Sequence, residues 1–336
     1  MTYSITSAFS ALIKNYVNLD PLISQNGKTS QNWLIEKQIT HFPARDDKFP
    51  LLNDDFTLSF GSYSRKTKIR ELDDIDTMII LHGEGATYYD DGVNIKLIPG
   101  NGDSRLRHYL DSEGNYINSR RVVNKFVSAL SEVSQYGHAD IKRMGEAATL
   151  KLSSYTWNFD IVPAFKTAPD HIGQTCYMIP DGYGHWKRTD PRIDKQRTSS
   201  INQKHAGTLL NIIRLTKYWK KKHGIPEIGS YLLETILLNY YDSTAPELRK
   251  TCLDWEFPHT LRALAQGVLH PVYDQKGFQG DINSLNWEAR LKVYEQAMAD
   301  ASTADDAVRL EFLEPEHAGV LWQKVLGMQF RKDDKP

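Results

Sequence analysis

FGSYSRKTKIRELDDIDTMIIL, residues 60–81, combines a Gly-Ser turn with three acids at the start of an apolar run. The run DIDTMIIL, residues 74–81, has the composition of a buried β-strand. Side chains alternate between the two faces of a strand, so Asp74 and Asp76 share one face and Asp73 lies on the other. The Cα atoms of Asp74 and Asp76 are then roughly 6.5–7 Å apart, and both carboxylates reach a pair of divalent ions about 3.5–4 Å apart. The strand therefore predicts a two-metal site.

Two further segments support this interpretation. Gly61 and Ser62 follow the apolar run FTLSF, at a strand-to-helix turn whose N–H groups and hydroxyl suit a phosphate. The alternative is an ordinary turn with a serine cap. In YTWNFDIVPAF, residues 155–165, Asp160 is the single acid of another predicted strand. Because a lone carboxylate in an aromatic strand is costly unless it is ligated or paired, we predict that Asp160 joins the two strand acids.

Composition limits the functional classes. The chain has 41 Lys and Arg against 42 Asp and Glu, so no overall positive field would hold a nucleic-acid polymer or an anionic membrane. Cys176 and Cys252 are the only cysteines and stand in no CxxC or Cys/His cluster, which argues against a disulfide framework and a zinc site. No apolar stretch is long enough to span a bilayer. We expect a soluble, cytoplasmic protein with small charged ligands.

The pattern along the chain changes near residue 199. Short β-type runs dominate from about residue 56 to residue 179, and HGEG, residues 82–85, is interpreted as a hairpin connection between two of them. After residue 199 helical periodicity predominates. We predict an α+β protein with a mixed lobe in residues 1–198, which includes an N-terminal helix, and a helical lobe in residues 199–336.

These segments together resemble the DNA polymerase β-type nucleotidyltransferase superfamily, whose pattern is a Gly-Ser turn, a strand with two acids and a later strand with a third. G-S-Y-x-R-x-T-x-I-R-x-L-D-D-I-D at 61–76 and FDIVPA at 159–164 resemble more narrowly the bacterial cGAS/DncV-like nucleotidyltransferases, the cyclic-oligonucleotide synthases of anti-phage signalling. DGYGHWKRTDP, RLTKYWKKKHG, GSYLLE and AGVLWQKVLGMQF extend the similarity from about residue 56 to residue 330. The resemblance implies a polymerase β-like nucleotidyltransferase core, a mixed sheet with flanking helices, followed by a helical lobe like that of the 2′-5′-oligoadenylate synthases.

The resemblance also implies a set of site residues. Asp74, Asp76 and Asp160 match the acids that bind two Mg²⁺ ions, for which Mn²⁺ is an alternative. Gly61 and Ser62 match the residues that hold the donor triphosphate.

Three positions in the predicted helical lobe match further family contacts. Lys217 and Ser230 match phosphate contacts, and Tyr231 matches a residue that stacks on a base. Each has an alternative interpretation: Lys217 as part of a solvated helix face, Ser230 as a helix N-cap, and Tyr231 as a core residue.

The implied activity is metal-dependent nucleotidyl transfer on NTP substrates with release of pyrophosphate. Its product would be a cyclic di- or trinucleotide second messenger for bacterial anti-phage (CBASS) signalling, read by a downstream effector without direct contact to this chain. Two alternatives stay open, a synthase of linear 2′-5′-oligoadenylate-like products and a non-catalytic NTP-binding sensor. A transferase acting on tRNA or poly(A) is disfavoured by the balanced charge.

Overall fold

The computed structural model describes residues 4–225, 228–245 and 252–330. These residues form two compact units. The helical unit comprises the described parts of Met1–Asp20, Arg65–Arg70 and Ile193–Pro336, and the sheet unit comprises Pro21–Ser64 and Glu71–Arg192. In this division the N-terminal helix groups with the C-terminal helices. The domain boundary between residues 198 and 199 stays a prediction.

A mixed sheet of nine strands, counted over the described residues, forms the centre of the sheet unit. The strands are Leu52–Ser59 (β1), Asp74–Leu81 (β2), Thr87–Asp90 (β3), Ile95–Ile98 (β4), Asp140–Met144 (β5), Ala147–Lys151 (β6), Asn158–Lys166 (β7), Tyr177–Pro180 (β8) and Trp186–Thr189 (β9). The main path through the sheet is β1-β2-β7-β8-β9-β4-β3, and β6, paired with β5, also borders β7. The predicted mixed sheet is confirmed.

The α-helices precede, interrupt and follow the strands. They are Ile5–Leu12 (α1), Pro21–Trp33 (α2), Phe42–Arg45 (α3), Gly61–Ser64 (α4), Ser119–Ser131 (α5), Pro191–Lys204 (α6), Leu209–Lys222 (α7), Ser230–Asp242 (α8), Leu253–Val268 (α9), Trp287–Leu310 (α10) and Pro315–Leu326 (α11). Short π-helical or 3₁₀ turns occur at Ile13–Val17, Leu34–Gln38, Ile39–His41, Arg105–Tyr109 and Ser134–Tyr136. None of the helices in the described ranges is both long and apolar enough to cross a membrane.

The parallel pair β2–β7 explains the apolar character of both strands. Their Cα partners run without interruption from Asp74↔Asn158 to Leu81↔Phe165. Helix α2 covers one face of β2, because a Cβ on Gly27 would lie 3.0 Å from the side chain of Ile75, and the Gln31 amide donates to Thr77 Oγ1 at 2.8 Å. Strand alternation then places the acids of β2 on the face opposite α2, in the predicted phase.

Strand β7 changes its antiparallel partner along its length. Its first residues pair with β6 as far as Ala148↔Ile161, and its last residues pair with β8 at Phe165↔Met178. Pro163 lies between these two stretches. Proline lacks the N–H that a ladder bond needs, so it is tolerated where a strand passes from one partner to the next.

The prediction of a hairpin at residues 82–85 is wrong. Strand β3 pairs with β4 instead of β2. The neighbours of β2 are β1 and β7. With both edges of β2 occupied, the chain leaves it through a connection that does not fold back beside it.

The helical unit has its own apolar core, to which α1 contributes. Phe9 packs edge-on against Trp322 of α11, with ring centroids 4.8 Å apart. Trp219 of α7 and Trp322 are fully buried, as is Phe257 of α9. Apolar side chains from α1 and from α7 to α11 form one cluster. A continuous core of this kind accounts for the grouping of the N-terminal helix with the C-terminal ones.

Replacing Thr77 by Val tests the contact that fixes the phase of β2. The change keeps the shape but removes the acceptor of the buried Gln31 amide, so the free energy of unfolding should fall by about 1–3 kcal/mol. Urea unfolding followed by circular dichroism measures the difference. The matched control is Thr87→Val on β3, where the side chain is exposed and should tolerate the change. Equal effects of the two substitutions would contradict the assigned packing of α2 on β2.

Candidate active site

The register of the sheet brings two of the predicted acids side by side. Asp76 of β2 is the Cα partner of Asp160 of β7, and adjacent strands lie about 4.7–4.9 Å apart. Asp74 precedes Asp76 by two residues on the same face. All three side chains are half-buried. The backbone therefore collects the three acids at the start of two neighbouring strands.

The backbone positions of these acids fit a pair of hard divalent cations. Carboxylate oxygens on rigid strands are the ligands such ions prefer. As placed, no three His, Cys, Asp or Glu side chains in the described ranges form a cation-binding group. The backbone register sets where the three acids start, and the rotation of their side chains decides how closely their oxygens approach.

Thr149 of β6 orients the third acid. It is the antiparallel partner of Asp160, and its Oγ1 donates to Asp160 Oδ1 at 2.6 Å. A hydroxyl donor stabilises the ionised form of a carboxylate and restricts its rotation. Thr149 was not predicted as a site residue: it lies in ATLKL, residues 148–152, one of several short β-type runs whose pairing the sequence does not reveal.

Gly61 lies directly against the acids. Its φ is +71°, in the region that favours glycine, and a Cβ built on it would lie 1.8 Å from Asp76 Oδ2. No residue with a side chain fits there unless Asp76 moves. The structure thus brings the predicted Gly61 turn and the predicted Asp76 carboxylate into direct contact, with Ser62 as the next residue of α4.

Two side chains anchor the turn that carries Gly61 and Ser62. Ser64 Oγ donates to the carbonyl of Ser59 at the end of β1, at 2.9 Å. Tyr63 donates its O–H to the carbonyl of Ser24 in α2 at 2.7 Å. The four-residue helix α4 therefore has side-chain hydrogen bonds to the strand before it and to a neighbouring helix.

In the helical unit, Lys217 is buried in α7. Its ammonium donates to Glu234 Oε1 at 2.6 Å and to the carbonyl of Thr67 at 3.0 Å. Burial lowers the pKa of Lys217, although Glu234 opposes this change. The alternative interpretation of Lys217 as part of a solvated helix face is wrong, because its side chain is only 6% exposed. Its contact with phosphate stays a prediction.

Ser230 and Tyr231 begin α8. The N-cap of this helix is Gly229 and no side chain caps it, so the interpretation of Ser230 as the N-cap is wrong. Tyr231 is half-buried and hydrogen bonds to Asp194 Oδ1 at 2.9 Å, and Lys276 Nζ lies 4.3 Å from the centroid of its ring. Burial, followed by Asp194, raises the pKa of Tyr231. The phosphate role of Ser230 and the base-stacking role of Tyr231 stay predictions.

Comparison with known proteins gives one close relative. No protein-family model matches the chain. A protein of Bacillus cereus (strain VD146) that carries the name probable cyclic nucleotide synthase is 40% identical over 333 residues, which cover 98% of this chain and 98% of that protein.

Two solved structures share the fold. CdnC of Escherichia coli MS115-1, solved with ATP, matches with a TM-score of 0.67 at 15% identity, over 97% of this chain and 98% of that one. Escherichia coli DncV in its 3′-deoxy GTP bound form matches with a TM-score of 0.66 at 12% identity, over 98% of both chains. At such identities the likeness establishes the fold, and the predicted fold class is confirmed.

Replacing Gly61 by Ala tests the close approach of the turn to the acids. A side chain at positive φ costs about 1–2 kcal/mol, and the displacement of Asp76 adds to this cost. The free energy of unfolding should therefore fall clearly, as measured by urea denaturation. Gly83→Ala is the matched control in the same unit, because nothing lies within 4 Å of its added Cβ. Wild-type stability of the Gly61 variant would show that the turn is placed differently.

Proposed function

The chain belongs to the bacterial cGAS/DncV-like nucleotidyltransferases, and from this premise we propose that it is a metal-dependent synthase that joins NTPs into a cyclic di- or trinucleotide and releases pyrophosphate. The observation that carries the proposal is the register of Asp76 with Asp160 on the parallel pair β2–β7, with Asp74 on the same face. A binding protein without turnover has no need of three carboxylates gathered on adjacent strands. The name of the Bacillus cereus relative, probable cyclic nucleotide synthase, agrees with a cyclic product.

The donor set of the site fits Mg²⁺, with Mn²⁺ as an alternative. Asp74, Asp76 and Asp160 would hold two such ions. When bound, these ions lower the pKa of an attacking ribose hydroxyl and neutralise charge on the triphosphate. Asp160 is the residue we assign to accept the hydroxyl proton or pass it on. The hydrogen bond from Thr149 restricts the rotation of the Asp160 carboxylate and so orients it for this role.

We propose that the turn at Gly61 binds the donor triphosphate. The absence of a Cβ at Gly61 allows the Asp76 carboxylate to approach the turn closely, and the N–H groups of the turn and the hydroxyl of Ser62 would donate to phosphate oxygens. The anchors of this turn keep those donors in place before the nucleotide binds, which reduces the entropy lost on binding. Lys217, Ser230 and Tyr231 are the further phosphate and base contacts that the family implies.

We place the product in bacterial anti-phage (CBASS) signalling in the cytoplasm, where an effector would respond to it. The support is the family to which the chain belongs. The CdnC and DncV structures contain ATP and 3′-deoxy GTP respectively, which agrees with NTPs as substrates of this chain.

Asp76→Asn should abolish pyrophosphate release, because it removes a charged ligand while keeping the shape of the side chain. Pyrophosphate is measured with purified protein, all four NTPs and Mg²⁺, and circular dichroism checks the fold. Asp73→Asn is the control: this exposed acid directly precedes β2 and does not share the face of Asp74 and Asp76, so the change should leave turnover nearly intact. A comparable loss in both variants would place the catalytic face of β2 one residue away from our assignment.

Mass spectrometry of the products, before and after phosphatase treatment, tests cyclisation. A cyclic product has no terminal phosphate, so its mass should not change. A phosphatase-sensitive product would assign the chain to the linear synthases. If no NTP combination yields pyrophosphate with Mg²⁺ or Mn²⁺, the NTP-binding sensor becomes the better interpretation.

A further inference from the structure

Three charged side chains meet inside the helical unit, in what we call the Glu234 cluster: Arg65, Lys217 and Glu234. Arg65 binds the carboxylate through two N–H groups, Nε to Oε2 at 3.0 Å and Nη2 to Oε1 at 3.3 Å. Lys217 donates to Oε1 as well. The exposed fractions of the three side chains are 11%, 6% and 1% respectively.

The charge of the Glu234 cluster does not balance. Two cations share one carboxylate, which leaves one excess positive charge among these three side chains; Asp194, the other acid that acts on Arg65, forms its own ion pair with Lys276. Burial alone raises the pKa of Glu234, but the charges of Arg65 and Lys217 outweigh it and keep the pKa below the ordinary value. Glu234 is therefore ionised near neutral pH, and Arg65, whose pKa Glu234 raises despite burial, is protonated.

Stability alone does not explain this arrangement. Apolar side chains of similar volume usually stabilise a protein as well as a buried ion cluster or better. An excess cation is useful where an anion must bind. An ammonium has three N–H donors, and the carboxylate of Glu234 and the carbonyl of Thr67 accept two of those of Lys217. The third suits an oxygen of a bound anion.

An aromatic ring lies beside the cluster. A small cavity is lined by Arg65, Glu234 and Tyr231, together with Asp194 and other residues of the helical unit, but not by Lys217. The Arg65 guanidinium lies 5.7 Å from the ring centroid of Tyr231. A nucleotide presents a phosphate and a base, and Arg65 and Tyr231 offer one group for each.

We infer that Glu234 is a positioning residue, which holds Lys217 and Arg65 in one fixed geometry so that their excess positive charge binds the triphosphate of the substrate nucleotide. The inference rests on the proposed function, because it takes Lys217 as a phosphate contact. Glu234 itself touches no substrate atom. Its carboxylate restrains two long side chains that would otherwise lose rotamer freedom when the nucleotide binds.

Glu234→Gln tests the inference with inorganic tripolyphosphate as the probe. The amide keeps the shape but loses the charge, so calorimetry should show tripolyphosphate binding at least about tenfold weaker than in the wild type, as expected for one charge-assisted hydrogen bond. Lys217→Met should weaken it similarly. Adding Glu234→Gln to Lys217→Met should weaken binding less than Glu234→Gln does alone, because residues that act through each other are not additive and only the positioning of Arg65 remains to be lost. Additive losses, or wild-type affinity in Glu234→Gln, would overturn the inference.

The pH dependence of tripolyphosphate binding distinguishes a positioning role of Glu234 from a merely structural one. The charged groups that act on Lys217 are Glu234 from α8 and Arg65 and Lys68 from the segment before β2. When Glu234 has lost its charge, burial and the charges of Arg65 and Lys68 all lower the pKa of Lys217. The alkaline loss of tripolyphosphate affinity should then move to lower pH in Glu234→Gln. An unchanged alkaline limb would contradict the inference.

Two controls keep the test decisive. Glu256→Gln changes another buried carboxylate of the same unit, one that binds Tyr241, and should not alter tripolyphosphate affinity. If Glu234→Gln does not fold, the triple variant Arg65→Met, Lys217→Met, Glu234→Leu removes all three charges at similar volume, and it should bind the probe no better than Lys217→Met. Wild-type affinity there would refute the inference.

Tripolyphosphate binding needs no turnover, so an enzyme without pyrophosphate release but with the expected binding pattern would count against the proposed function alone.

Discussion

The parallel pairing of β2 with β7 is the constraint on which the candidate site depends. A parallel ladder fixes which residues lie opposite one another, and a slip by one residue would turn the acids of β2 toward α2. Most of the other side chains of both strands are apolar and buried, so burial selects the register and the positions of the acids follow from it. The hydrogen bond from Gln31 supports the same assignment of strand faces. Its amide reaches Thr77 only if the even-numbered residues of β2 face away from α2.

Two contacts fix the positions of acids in the candidate site. Gly61 approaches Asp76 so closely that a side chain is excluded, and Thr149 holds one oxygen of Asp160. These contacts restrict the positions of two of the acids. Carboxylates that are fixed in this way suit the binding of cations and phosphates, because little conformational entropy is then lost when the ligand binds.

Sequence patterns predicted the parts of the molecule that depend on local periodicity. The period of two in DIDTMIIL gave the face shared by Asp74 and Asp76, and the helical periods after residue 199 gave the C-terminal helices. Pairing between distant strands was beyond such reasoning. Thr149 carries no local signal that marks it as the partner of Asp160, and the hairpin expected at HGEG failed because β2 finds its neighbours far along the chain. The long-range register decided both cases.

The Glu234 cluster shows a different limit of sequence reasoning. Arg65 precedes Glu234 by 169 residues, so neither residue reveals the other by spacing. Ser230 suggests an N-cap, but Gly229 occupies that position; Lys217 in a lysine-rich helix suggests a solvated face, but its side chain is buried. A buried carboxylate shared by two cations is informative because apolar packing would serve stability at least as well. Where a chain retains such charges, the explanation has to come from what they bind, and an excess positive charge beside Tyr231 is suited to the anionic part of a nucleotide.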